Sequence, residues 1–366
     1  MIKVMSTPRS VDLEITSRCN ARCRYCYYLN NEGVNYQDLP TQRWLTFFEE
    51  LGRAKVMQVC LAGGEPFIRE DIFEIIDGIV QNRMRFQILT NGSLISRETA
   101  RRLKETKRCF AIQVSLDSSK PQIHEAMRGK GTFIQALNAI KLLTEEGLPV
   151  TVRVTIHAQN VEDLPSIARL LLEDLGLPGF STNAISSLGT RTKYSDDVFM
   201  VPSQRLRAMK ALGELDEKYQ GRIQADAGPL AEWKMFREME EARQTRQPIP
   251  GRGFLVGCGC VFTRISVRAD GAYIPCVMLP QMVMGYIGQD SLEEVWRNSS
   301  IFSSLRERRT ISLDSFAECE GCEYVQSCTG NCPGTAFSTM GEANSPSPEG
   351  CLRRFKQSLA QENMTL

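Results

Sequence analysis

Eleven of the thirteen cysteines fall in two stretches: Cys19, Cys23 and Cys26 near the start, and Cys258, Cys260, Cys276, Cys319, Cys322, Cys328, Cys332 and Cys351 toward the end. This grouping constrains the fold more than any other feature. The opening MIKVMSTPRS has neither the apolar stretch nor the small-residue cleavage site of a secretory signal, so a cytoplasmic chain is expected. Thiols clustered in such a chain serve metals or catalysis rather than disulfides. Only two histidines are present, His124 and His157, too few for a His-rich zinc or non-haem iron centre, so any metal chemistry must run on sulfur. No apolar run has the length a membrane span needs. Lys and Arg number 44 against 43 Asp and Glu, a net charge of +1 that leaves no basic footprint for a nucleic acid. With 366 residues, 42% of them hydrophobic, the chain can bury a large core and carry one smaller module besides.

Between the sulfur-rich ends, short β-rich runs alternate with helical ones. Strands are expected at Val11 to Thr16, Val56 to Ala62, Phe86 to Thr90, Ala111 to Leu116, Val150 to His157 and Phe180 to Ile185, separated by segments with apolar residues at helical spacing, such as Trp44, Phe47, Phe48 and Leu51. Six such pairs predict an α/β fold with a parallel sheet, a partial (β/α)6 barrel rather than a closed one. Three regions follow: the barrel over residues 1–220, a helical linking region over 221–253 ending in Gln247-Pro248-Ile249-Pro250-Gly251-Arg252-Gly253, and a cysteine-rich module over 254–366 with a hairpin turned by Asp270-Gly271. In such barrels the chemistry gathers where the strand-to-helix loops converge. The cysteine loop follows the first strand there, Gly63-Gly64-Glu65-Pro66 the second, Thr90-Asn91-Gly92 the third, and Ser115 with Asp117 the fourth. The fifth strand alternates Thr151, Arg153, Thr155 and His157 against Val150, Val152, Val154 and Ile156, so one face is polar. If that face points inward Arg153 meets substrate or cofactor; the alternative is an exposed edge. Arg153 and Asp117 are the candidates for a catalytic role. Cys60 and Cys109 read as packing residues, and the two histidines as structural or solvent-facing.

Cys19-Asn-Ala-Arg-Cys23-Arg-Tyr-Cys26 puts three thiols in one loop, enough for three corners of a [4Fe-4S] cluster with one iron open to an outside ligand; a zinc site completed from elsewhere is the alternative. With Tyr25 before the last cysteine, this motif resembles that of the radical S-adenosylmethionine enzymes, and the resemblance covers residues 11 to about 200. It implies that the open iron chelates S-adenosylmethionine, whose reductive cleavage gives a 5′-deoxyadenosyl radical. It further implies that Gly63, Gly64 and Glu65 receive the methionyl ammonium, that Ser115 and Arg128 contact the ribose and carboxylate, and that Tyr25 lies near the adenine.

Cys319-x2-Cys322-x5-Cys328-x3-Cys332, preceded by Gly271-x4-Cys276 and followed by Cys351, resembles the SPASM extension of the same superfamily, which carries auxiliary [4Fe-4S] clusters. The resemblance implies three clusters in all. One auxiliary cluster would take Cys276, Cys332 and one or both of Cys258 and Cys260; the other would take Cys319, Cys322, Cys328 and Cys351. A zinc knuckle of Cys319, Cys322, Cys328 and Cys332 is the alternative. SPASM enzymes mostly modify peptides, and others act on small molecules or tetrapyrroles. The residue after Cys276 is Val277, where relatives that mature sulfatases carry Asp, which argues against that reaction. The expectation is therefore a maturase of a ribosomally made precursor peptide; the alternatives are a radical enzyme acting on a small molecule or tetrapyrrole and a non-enzymatic iron-sulfur electron carrier. It would be supplied with electrons by a flavodoxin or ferredoxin. Because the cysteine loop begins by residue 19, a separate leader-recognition protein is expected to deliver the peptide.

Overall fold

The computed structural model describes residues 4–28, 36–186, 195–256 and 259–366. The six expected strands are present as β1 (Ser10–Thr16), β2 (Gln58–Gly63), β3 (Arg85–Thr90), β4 (Cys109–Ser115), β5 (Val150–Ile156) and β6 (Phe180–Ala184), each paired in parallel with the next. Helices α1 (Thr41–Arg53), α2 (Ile72–Gln81), α3 (Arg97–Glu105), α4 (Pro121–Arg128) and α5 (Thr132–Glu145) make the crossovers between the first five strands. Apolar residues of the strands, among them Leu13, Leu61, Ile88, Val114 and Val154, pack outward onto the helices and are wholly buried. The other face of each strand, from Asp12 and Glu14 to Thr155 and Asn183, turns into the barrel.

Three differences from the sequence reading bear on the site. A seventh parallel strand, β7 (Ile223–Ala225), pairs with β6 inside the region read as a helical link; the helix there spans Pro229–Thr245. Three residues are too short a run to show alternation. The hairpin of the cysteine-rich module forms as β8 (Arg264–Val267) and β9 (Ala272–Ile274), with Gly271 at φ +84°, where a side chain would be strained. It does not stand on a sheet of its own. β8 pairs in parallel with β1, Ser10 opposite Arg264 and Leu13 opposite Val267, and β10 (Gly285–Tyr286) follows β9, so one ten-stranded open sheet runs from β10 through β1 to β7. The module's Trp296, Phe302 and Tyr273 share the barrel core with Trp44 and Phe47. A second core joins the helices Pro202–Lys218 and Pro229–Thr245 to the C-terminal helix Leu352–Gln361 through Met209, Phe236 and Phe355, with Cys322 and Cys328 packed against it. Among the described residues no helix is long and apolar enough to cross a membrane.

Candidate functional site

At the C-terminal edge of β1–β6 lies a cavity of about 380 Å³. Cys19, Cys23 and Cys26 line it together with Tyr25, Gly63, Gly64, Glu65, Ser115, Arg128 and Arg153, and Val277 and Met278 of the second module complete the wall. Ten residues singled out in the sequence thus meet at one opening. Asp117 is not on the lining; it stands behind it.

Backbone geometry sets the cysteine loop. Gly64 N–H donates to the Thr16 carbonyl (2.8 Å) and Glu65 N–H to the Arg18 carbonyl (2.9 Å), so the second motif continues the β1–β2 ladder into the start of the loop. A side chain on Gly64 would place its Cβ 2.0 Å from the Arg18 oxygen, and Gly63 sits at φ +117° with its Cβ position 2.4 Å from the Thr16 oxygen. Only glycine allows that approach. Asp38 anchors the other side, accepting from the Ser17 N–H at 2.6 Å and the Thr16 hydroxyl at 2.5 Å.

Glu65 is 1% exposed and accepts from Asn91 N–H (2.7 Å), Thr90 Oγ1 (2.8 Å) and Phe67 N–H (3.3 Å). Burial still pushes its carboxyl up to about 7, since none of those donors carries charge. The site therefore has a carboxylate waiting for a cation.

Asp117 is wholly buried and accepts from Arg128 Nε (2.5 Å), Arg128 Nη2 (3.3 Å), the Thr155 N–H (2.9 Å) and the Tyr25 hydroxyl. Burial raises this carboxyl, but the Arg128 guanidinium outweighs burial and holds it at about 2. Asp117 is thereby a fixed anion that orients Tyr25 and Arg128 against the cavity. Arg128 reaches 4.0 Å from Cys23 Sγ. Both histidines belong to the same cluster, so of the two alternatives, structural or solvent-facing, the structural one holds: His124 accepts from the Asp117 N–H at 3.1 Å, and His157 stacks on Tyr25 at 6.2 Å. They are 1% and 0% exposed, and burial lowers each to about 4, so both are neutral.

The polar face of β5 points inward, since Arg153 and Thr155 line the cavity while Val152, Val154 and Ile156 lie in the apolar core, and β5, flanked by β4 and β6, is no edge. Ser115 lies opposite Arg153 in register, and its hydroxyl has no hydrogen-bond partner among the described residues. Gln113 and Asn183, which the sequence reading passed over, share this wall. Their signal was the same alternation on β4 and β6.

The thiols fit cluster ligation by their chemistry. No cysteine among the described residues is in a disulfide. In each of the three expected sets one sulfur accepts a backbone N–H from two residues on: Ala21 to Cys19 (3.4 Å), Met278 to Cys276 (3.5 Å) and Gly330 to Cys328 (3.4 Å). Such donors stabilise thiolate and tune a cluster's potential. Burial pushes the free Cys23 thiol up to about 11, although Arg128 opposes it. Burial and then repulsion from neighbours that include Cys328, Cys322 and Cys351 push Cys319 up to about 11, so these thiols are near enough to repel one another. Cys332 caps the helix Pro333–Met340, whose Gly334 packs on Met278, beside the Cys276 loop. Cys260 opens the short helix Cys260–Thr263 that leads into β8. Cys258 lies outside the described residues.

Residues 13–171 match the Radical SAM superfamily and residues 258–329 the SPASM iron-sulfur cluster-binding domain. The AdoMet-dependent heme synthase of Methanosarcina barkeri is 26% identical over 350 residues, 93% of this chain and 96% of that protein. The mycofactocin maturase of Mycobacterium tuberculosis is 27% identical over 362 residues, 98% of this chain and 86% of that protein. Among solved structures, SuiB of Streptococcus suis bound to precursor peptide SuiA has a TM-score of 0.72 at 16% identity, covering 95% of this chain and 77% of SuiB.

Proposed function

From the premise that the chain belongs to the radical S-adenosylmethionine enzymes with a SPASM domain, we propose that it modifies a residue of a ribosomally made precursor peptide by hydrogen-atom abstraction. When bound, S-adenosylmethionine and a [4Fe-4S] cluster on Cys19, Cys23 and Cys26 supply a 5′-deoxyadenosyl radical for that step. The remaining work falls to the chain. Glu65, buried and held by three donors, receives the methionyl ammonium. Gly63 and Gly64 bring backbone close to it. Arg128 and Tyr25, fixed by Asp117, and the free hydroxyl of Ser115 border the rest of the cofactor. Val277 and Met278 narrow the opening and exclude water from the reacting carbon. Two auxiliary clusters, one on Cys319, Cys322, Cys328 and Cys351 and one on Cys276, Cys332 and Cys260 or Cys258, complete three clusters per chain.

The observation that carries the peptide reading is the match to mycofactocin maturase along 98% of this chain. SuiB adds that a protein of this fold holds a precursor peptide. A second reading, a tetrapyrrole substrate, is favoured by the equally extended match to heme synthase. The test is isotope transfer. Anaerobically reconstituted enzyme is given reductant, S-adenosylmethionine and the short peptide encoded beside its gene, deuterated one residue at a time, with any recognition protein encoded there. Deuterium in 5′-deoxyadenosine identifies the residue. Transfer from iron-coproporphyrin and from no peptide would establish the second reading instead.

A further inference from the structure

The cavity holds two guanidinium groups, and the protein neutralises one of them. Arg128 is paired with Asp117 at 2.5 Å. Arg153 is half-buried on the interior strand β5. Its Nε donates to Gln113 Oε1 (3.2 Å) and its Nη1 to the Thr182 carbonyl (3.4 Å), both neutral acceptors. Among the described residues no carboxylate stands at ion-pair distance from it, and Asp226 attracts it only from further away. Burial accordingly works against its charge. A cation kept in a partly desolvated space without a counter-ion is costly, and Arg153 lines the cavity with only Nε and Nη1 bonded among the described residues. The planar guanidinium matches a carboxylate with two parallel hydrogen bonds, which no amide or hydroxyl can do as well.

We infer that Arg153 binds a carboxylate of the substrate, so that the modified peptide residue either carries or directly adjoins an acidic side chain or the C-terminal carboxylate. The inference rests on the peptide reading for its source of carboxylate. S-adenosylmethionine has a carboxylate too, but its methionyl end belongs with Glu65 at the end of β2. β5 is three strands further along the sheet, and the cofactor's carboxylate already has Arg128 as its expected partner. The neighbouring wall favours a peptide group. Asn183, opposite Thr155 in register, presents a buried Oδ1 with no donor, able to accept an N–H beside the bound carboxylate.

The experiment needs no variant in its first arm. The peptide encoded beside the gene is made as the free acid, as the C-terminal amide, and with each Asp or Glu replaced by Asn or Gln. One of these neutralisations should raise KM about ten- to a hundred-fold, the loss expected for a charge-assisted pair. In the second arm Arg153→Gln should show the same loss with the acid peptide and little further loss with the neutralised one, and Arg153→Lys should recover part of it. The cluster absorption spectrum reports whether each variant is folded. The dissociation constant of S-adenosylmethionine separates the two sources: a shift of ten-fold or more in Arg153→Gln would assign the contact to the cofactor and overturn the inference. A peptide turned over equally well in every neutralised form would also overturn it while leaving the peptide reading in place. Conversely, label transfer from iron-coproporphyrin but not from its methyl ester, abolished in Arg153→Gln, would sustain the carboxylate contact and end the peptide reading.

Discussion

Replacing Asp117 by Asn tests whether this carboxylate is the anchor of the cofactor wall. Asp117 is 0% exposed and its partner Arg128 10%, so the pair is shielded from solvent screening. Asn can still accept from the Thr155 N–H, but it turns an N–H toward Arg128 and leaves that guanidinium buried without a counter-ion. Breaking such a pair from one side costs about 3 to 5 kcal/mol. Titration gives an independent and smaller figure: moving a carboxyl from 3.8 down to about 2 is worth roughly 2 kcal/mol of stability. Because the folded value is the lower one, that contribution is complete above about pH 4 and is lost as pH falls toward about 2. The Asn figure is larger because it adds a reversed donor to the lost charge. Anaerobic thermal unfolding followed by near-ultraviolet circular dichroism should show a fall of several degrees in Asp117→Asn, with weaker S-adenosylmethionine binding as Tyr25 and Arg128 lose their orientation. Asp117→Asn with Arg128→Met should regain much of the stability and none of the binding, since Met leaves no buried cation in need of a counter-ion. A single variant within about 1 kcal/mol of wild type would refute the anchoring role.

Gly64→Ala should push the cysteine loop off Arg18 and yield folded protein short of about a third of its iron, read by iron and sulfide analysis against about twelve of each in wild type by the arithmetic of three four-iron clusters. Glu65→Gln should weaken S-adenosylmethionine about ten- to a hundred-fold by equilibrium dialysis. In wild type, affinity should fall as pH drops below about 7, where the free carboxyl takes up its proton, and this dependence should be absent in Glu65→Gln. Cys351→Ala should remove one auxiliary cluster and loosen the core at Phe355, seen as lost product formation while uncoupled cleavage of S-adenosylmethionine persists; full turnover in that variant would show the cluster dispensable.

What was legible in the sequence is what chemistry confines to a short span. Three thiols around one cluster must sit within a few residues, and Gly64 must be glycine because a backbone oxygen occupies its Cβ position, so both leave a local signature. The pairing of β8 with β1 joins residues more than 250 positions apart in the chain, and no periodicity in Arg264–Val267 could show whether that hairpin stood alone. The histidines were left open between structural and solvent-facing for a related reason: His124 and His157 are ordinary by sequence, and only the convergence of α4 with the end of β5 buries them around Asp117. The fifth strand lies between these cases. Its alternation was visible, but whether Arg153 met solvent or cavity was decided by β4 and β6 on either side. Once those strands close over it, the polar face ceases to be a solvated edge and becomes a row of donors and acceptors that must find partners. Asp117 meets that demand for Arg128 from within the chain. Nothing comparable meets it for Arg153 among the described residues, and the asymmetry between two guanidiniums in one cavity gives the wall at β5 to the substrate rather than to the fold.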